Sequence, residues 1–171
     1  MKYFTQKLYD EFNSDDKKVF DKAYKQSKRK LEEYEAFLDK RGGEFPPKLL
    51  YFIRHINLHD GLILSSSYGK RIKREGKWRR KRKHFFQIQV WHSRGEYIYT
   101  VEFSHIRKCE INLSPEESLD EEWAYDEFSI TRDNWICFEM WTFSGSTFLI
   151  EFKNFNYFRS KADCPPVLGP F

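Results

Sequence analysis

Lys70, Arg71, Lys73, Arg74, Lys77, Arg79, Arg80, Lys81, Arg82 and Lys83 fall within fourteen consecutive positions, KRIKREGKWRRKRK, with Trp78 among them. The chain of 171 residues has 30 basic and 26 acidic residues, a net +4. This run alone holds ten bases and one acid, or +9, leaving 20 bases against 25 acids, or −5, elsewhere. So many like charges in one place attract phosphates and displace their counterions. Trp78 is suited to stack on a base or lie along a nucleic-acid backbone. Two other readings need no nucleic acid. The run is a solvated, self-repelling loop, or it lies against the acidic stretch PEESLDEEWAYDE at 115–127, which has seven acids and no base. That pairing, within one chain or between two copies, would orient more than stabilise, since exposed ion pairs contribute about 0–1 kcal/mol each.

His59 and Asp60 form the second candidate, in the context LHDG. A histidine beside an aspartate is the raw material of a metal site or an acid–base pair. Adjacent residues on a strand point to opposite faces, however, which would keep the two from converging. Asp60-Gly61 also reads as turn chemistry. His55, His84, His92 and His105 complete the histidines. No HxH or HExxH spacing occurs, and His55 and His59, four apart, would share a face only if one helix ran through both. Ser65 to Ser67 and the SGS at 144–146 lack a nucleophile-elbow context. Cys109, Cys137 and Cys164 form no CxxC, so a zinc knuckle or redox pair is not indicated. Buried free thiols are the expectation, and no cofactor is implied. Trp91 and Trp123 are candidate protein-interface residues. Trp91 shares a strand face with Gln87 and Gln89 rather than with Phe86, Ile88 and Val90.

The elements that must carry these residues fall into two halves. Residues 1–57 read as a helical segment. A short helix is expected at 5–12, and a long one at 14–41 with Ser14 as its N-cap. In the long helix Phe20, Tyr24, Ser27, Leu31, Tyr34 and Leu38 share a face. A third helix is expected at 47–56, opened by Pro47. From Leu58 the apolar period changes to two. Residues 58–160 read as a ring-rich antiparallel domain, a meander of strands joined by short turns. The aromatic content of 19% suits such a sheet. WICFEMWTF is apolar on both faces and belongs in mid-sheet. A bulge is expected near His105. The Pro-containing tail 161–171 cannot continue a ladder. The fold expectation is α+β: N-terminal helices followed by a six- or seven-stranded antiparallel sheet, curled or sandwich-like. No window reaches the ~20 apolar residues of a membrane span, and the N-terminus has no signal-peptide pattern. A cytoplasmic protein with no membrane contact is expected.

The opening MKYFT at residues 1–5, the charged helices after it, the Leu58, His59, Asp60 motif and the β half together resemble a family of small bacterial proteins of unknown function. The β half is also similar, more loosely, to immunity-type domains that bind and block toxins. The resemblance carries no established catalytic residues to transfer. A complete core pattern without a converging catalytic set, together with the asymmetric charge, makes the first functional expectation a non-enzymatic protein-interaction module with a protein partner. The alternative is a nucleic-acid-binding protein using the basic arm at 70–83. The third is a metal-dependent enzyme around His59 and Asp60.

Overall fold

A computed structural model describes residues 1–75, 79–114 and 121–162. The chain opens with helix α1 (Gln6–Phe12), which begins where the Thr5 hydroxyl accepts the Leu8 N–H at 3.3 Å. Helix α2 (Lys17–Arg41) starts two residues later than Ser14 would place it. Asp16 is the cap: its backbone is extended and its carboxylate accepts the Lys18 N–H at 2.8 Å. Ser14 instead accepts the Asp16 N–H, bracing the cap from outside. Gly42 stops α2, a one-turn 3-10 segment follows, and Pro47 opens helix α3 (Pro47–His55).

The apolar face of α2 is buried over only part of its length. Ala23, Tyr34 and Leu38 are buried, whereas Phe20, Tyr24 and Leu31 are 37%, 54% and 46% exposed. The cause is reach. Tyr34 lies on the sheet, whereas among the described residues the N-terminal half of α2 is supported mainly by α1, through Phe12 against Phe20 at 5.3 Å and Tyr24 at 6.3 Å.

Eight strands follow: β1 (Gly61–Glu75), β2 (Arg79–Trp91), β3 (Tyr97–Ser104), β4 (Lys108–Asn112), β5 (Glu122–Ile130), β6 (Ile136–Thr142), β7 (Thr147–Phe152) and β8 (Asn154–Lys161). They form one antiparallel sheet in the order β4-β7-β6-β5-β1-β2-β3-β8. The count exceeds six or seven because two long apolar stretches each break in the middle. At His105 the backbone takes a positive φ of 59°, which separates β3 from β4. At Lys153 the chain leaves β7 and enters β8. Nor is the order a plain meander, since β3 pairs with β8 and β4 with β7. Arg107 secures the first crossover by binding Glu151, at 2.6 Å, and Asp133. The guanidinium and the Thr131 hydroxyl together hold the Asp133 carboxyl down at about 2.

The sheet is open and strongly curled. β1 meets β5 through only two register pairs, Gly61↔Trp123 and Leu62↔Glu122. The strands on either side of this seam turn their apolar faces together. Phe103 of β3 packs on Phe138 of β6 at 4.8 Å and on Phe152 of β7 at 4.9 Å, and Phe86 of β2 approaches Phe148. Ring-on-ring packing of this kind fills the core with large, stiff side chains. Helix α3 inserts Phe52 beside Phe128, Phe155 and Tyr157.

Strand β6 has two buried faces for different reasons. Ile136, Phe138 and Met140 point into the ring core, while Trp141 lies beneath Tyr9 on the other face, its indole N–H donating to the Phe4 carbonyl at 3.3 Å. The same segment satisfies Glu127, a carboxylate only 2% exposed. Glu127 accepts the Lys2 and Tyr3 N–H groups at 2.9 and 2.8 Å, and the Met1 amino group reaches Glu139 at 2.6 Å. Residues 1–5 thus have a packing role.

Candidate functional site: a basic ribbon and an acidic cleft

Strands β1 and β2 are 15 and 13 residues long, and their mutual register runs from Leu62↔Trp91 to Glu75↔Arg79. The third strand, β3, accompanies β2 only from Trp91 back to Phe85. Beyond Phe85 six further pairs, Lys70↔His84 to Glu75↔Arg79, form a two-stranded ribbon with no further strand beside it among the described residues. At about 3.3 Å per residue the ribbon extends roughly 20 Å past the sheet. It contains Lys70, Arg71, Lys73, Arg74, Arg79, Arg80, Lys81, Arg82 and Lys83, for which the backbone alone is described. Lys77 and Trp78 lie outside the described residues, as do 115–120 of the acidic stretch and Cys164.

The register matters for the charge. Arg71↔Lys83, Lys73↔Lys81 and Arg74↔Arg80 set base opposite base. Like charges directly across an antiparallel pair are destabilising, and a lone two-stranded hairpin is marginal in water to begin with. At the ribbon's root the register sets uncharged residues opposite one another, Tyr68↔Phe86 and Gly69↔Phe85. The Phe85 ring lies over Gly69, so close that a Cβ on Gly69 would stand 2.7 Å from it. The Tyr68 hydroxyl hydrogen-bonds the His84 ring.

The tryptophans separate. Trp91 is half-buried, with its indole N–H enclosed and without a hydrogen-bond partner among the described residues. Trp123 is not at the surface at all: it is 1% exposed. Its strand pairs with β1 at the seam, and a register irregularity between Trp123 and Tyr125 turns its ring inward.

His59 and Asp60 do converge, against the strand-based expectation. They precede β1 and occupy a turn in which Asp60 has a positive φ of 62°. The alternation rule therefore does not apply, and His59 Nδ1 stands 2.8 Å from Asp60 Oδ1. The pair is open to solvent, with side chains 32% and 59% exposed. The His59 ring packs edge-on against Tyr125 at 4.8 Å and Phe143 at 5.7 Å. Among the described residues no three His, Cys, Asp or Glu side chains are placed to hold a metal ion. Burial pushes the Cys137 thiol up to about 11 and raises that of Cys109, which leaves both as weak nucleophiles at neutral pH.

Beside His59 opens a cleft of about 800 Å³ between α2, α3 and β5. Phe4, Tyr34 and Tyr125 form a continuous wall of rings, with Phe4 5.5 Å from Tyr34 and 5.9 Å from Tyr125. Asp126 borders the cleft. The residue keeps some surface, while its carboxyl lies among protein atoms. Trp123 Nε1 donates to Asp126 Oδ1 at 2.9 Å. Desolvation pushes this carboxyl up to about 6, against the opposing pull of the Trp123 hydrogen bond and of His59.

Asp126 was not visible in the sequence as a special acid. On a regular strand Trp123 and Asp126, three apart, would face opposite ways. The irregularity at Ala124 restores them to one face, and no residue pattern in EEWAYDE announces it.

Comparison with protein-family models, with characterised proteins and with solved structures finds no match for this chain. The functional reading accordingly rests on the geometry of the ribbon and the cleft.

Proposed function

We propose that the chain is a non-enzymatic binding protein whose contact element is the basic ribbon and whose partner is duplex nucleic acid. The carrying observation is the six-pair extension of β1 and β2 beyond β3, within a segment of ten bases and one acid. A two-stranded ribbon fits the major groove of a duplex, about 12 Å wide. Basic residues set opposite one another cost stability in water but are neutralised by phosphates on either side of a groove. A catalytic reading has less support: the exposed His59–Asp60 pair is explained by a turn and by ring packing.

The test is fluorescence anisotropy of labelled DNA and RNA duplexes at several salt concentrations. The comparison variant carries Arg79→Gln, Arg80→Gln, Lys81→Gln and Arg82→Gln together. The wild-type chain should bind with a steep salt dependence, and the variant should lose up to about 3–4 units of the log–log slope, roughly 0.9 per phosphate contact. An unchanged affinity and slope would refute the reading.

A specific observation favours a second reading, a protein-interaction module. Phe20, Tyr24 and Leu31 expose an apolar stripe along α2 that Phe12 of α1 covers only in part. Failure of the duplex experiment, together with capture of a protein partner that Tyr24→Glu abolishes, would move the assignment there. The looser similarity of the β half to immunity-type domains that bind and block toxins would then gain weight.

A further inference from the structure

The cleft beside β5 has a chemistry distinct from that of the ribbon. Its walls are aromatic and its charge is negative: Glu35, Asp39 and Asp126 line it against a single arginine, Arg54, which is already paired with Asp39 at 2.6 Å. Asp126 has Trp123 as its hydrogen-bond donor, and among the described residues no lysine or arginine pairs with it. A carboxylate taken out of water without a counter-cation is costly, which is why burial raises this group to about 6. At neutral pH it is nevertheless mostly ionised, and it lines the same cleft as the ring wall of Phe4, Tyr34 and Tyr125. A desolvated carboxylate with electron-rich ring faces nearby is complementary to an ammonium group, through charge-assisted hydrogen bonds and cation–π attraction.

We infer that the cleft between α2, α3 and β5 is a binding site for an organic ammonium group on an apolar stem, with Asp126 as the counter-ion and Phe4, Tyr34 and Tyr125 as the aromatic wall. An anion is disfavoured there by Glu35 and Asp126. A purely apolar ligand would leave the carboxylate buried and unpaired. The shared chemistry of a free amine and of a lysine side chain fits equally, and the experiment separates them.

The test follows the Trp123 indole N–H resonance of the full chain at pH 7.5, since that proton donates directly to Asp126. Phenethylammonium is titrated against 2-phenylethanol, its neutral counterpart, and a third series uses lysine capped at both ends. The ammonium should give a saturable shift and the alcohol should not. In Asp126→Asn the ammonium affinity should drop by about tenfold or more, the usual worth of a hydrogen bond to a charged group. Tighter binding of capped lysine than of phenethylammonium assigns the cation to a protein side chain, and the reverse assigns it to a free amine. Equal shifts by the ammonium and the alcohol in the wild-type chain, or no saturable shift by any ammonium, would overturn the inference without reliance on a variant that folds.

Discussion

At the scale of single residues, the molecule stores unfavourable electrostatics in Asp126. Its carboxyl titrates near 6 in the folded chain, above the ordinary 3.8. The folded state therefore binds a proton more tightly than the unfolded one does. The contribution of this group to stability is largest below about pH 4, falls as pH rises through about 6, and stays at the lower level above that. Asp126→Asn removes the titration. It should raise the stability of the ligand-free chain at pH 7.5 by about 1–3 kcal/mol, while wild type and variant converge near pH 4. Urea unfolding at both pH values measures this, and equal stabilities at pH 7.5 would remove the burial cost assigned here. Little of this was legible beforehand. The seven acids of 115–127 read as one acidic loop for the basic run to lie against, yet Glu127 is buried under the Lys2 and Tyr3 amides and Asp126 lines a ring-walled cleft. Both placements depend on long-range contacts and on a bulge, and neither leaves a local pattern. His59 and Asp60 were visible as residues, and DG gave the correct turn; the alternation argument misplaced their side chains because the turn precedes the strand.

At the scale of elements, one phenol ties α2 to the sheet. The Tyr34 hydroxyl accepts the Phe128 N–H at 2.9 Å and faces the Phe128 carbonyl at 3.3 Å. Burial raises the pKa of this phenol far above its ordinary value, so it stays protonated across the accessible pH range. Tyr34→Phe keeps the ring and leaves a buried strand amide without a partner. The expected loss is about 1–3 kcal/mol, read from the urea midpoint. A loss below about 0.5 kcal/mol would mean that the helix docks by ring packing alone. The helices themselves were legible, since caps, prolines and apolar spacing are local. Their docking was less so. A helical face read from Phe20 to Leu38 looks uniform, but a 25-residue helix outruns the sheet beneath it, and Tyr24 is left in solvent. The strands were found by alternation, and their order was not. The breaks at His105 and Lys153, which send β4 and β8 to the two edges, are set by a left-handed residue and a crossover inside apolar runs.

At the scale of the whole molecule, the ribbon and the curled sheet are separable. The ring core is built from residues such as Phe86, Phe103, Phe138 and Phe152, all below the last β2–β3 pair at Phe85↔Ser104. Replacing residues 71–83 by Asn-Gly closes the hairpin at Lys70↔His84 with a favoured two-residue turn. The shortened chain should unfold cooperatively with a Tm within a few degrees of the wild type, about the shift that 1 kcal/mol produces. Its Tm should also respond less to salt, because the repulsion that salt screens has been removed. Loss of cooperative melting would show that the ribbon is part of the core. The division between a +9 projection and a −5 remainder, plain from the sequence, has a kinetic consequence. With its positive pole about 20 Å beyond the sheet, the molecule behaves in an external field as a large electric dipole. A polyanion exerts a torque on it before contact, so the protein turns during approach and meets such a surface tip first.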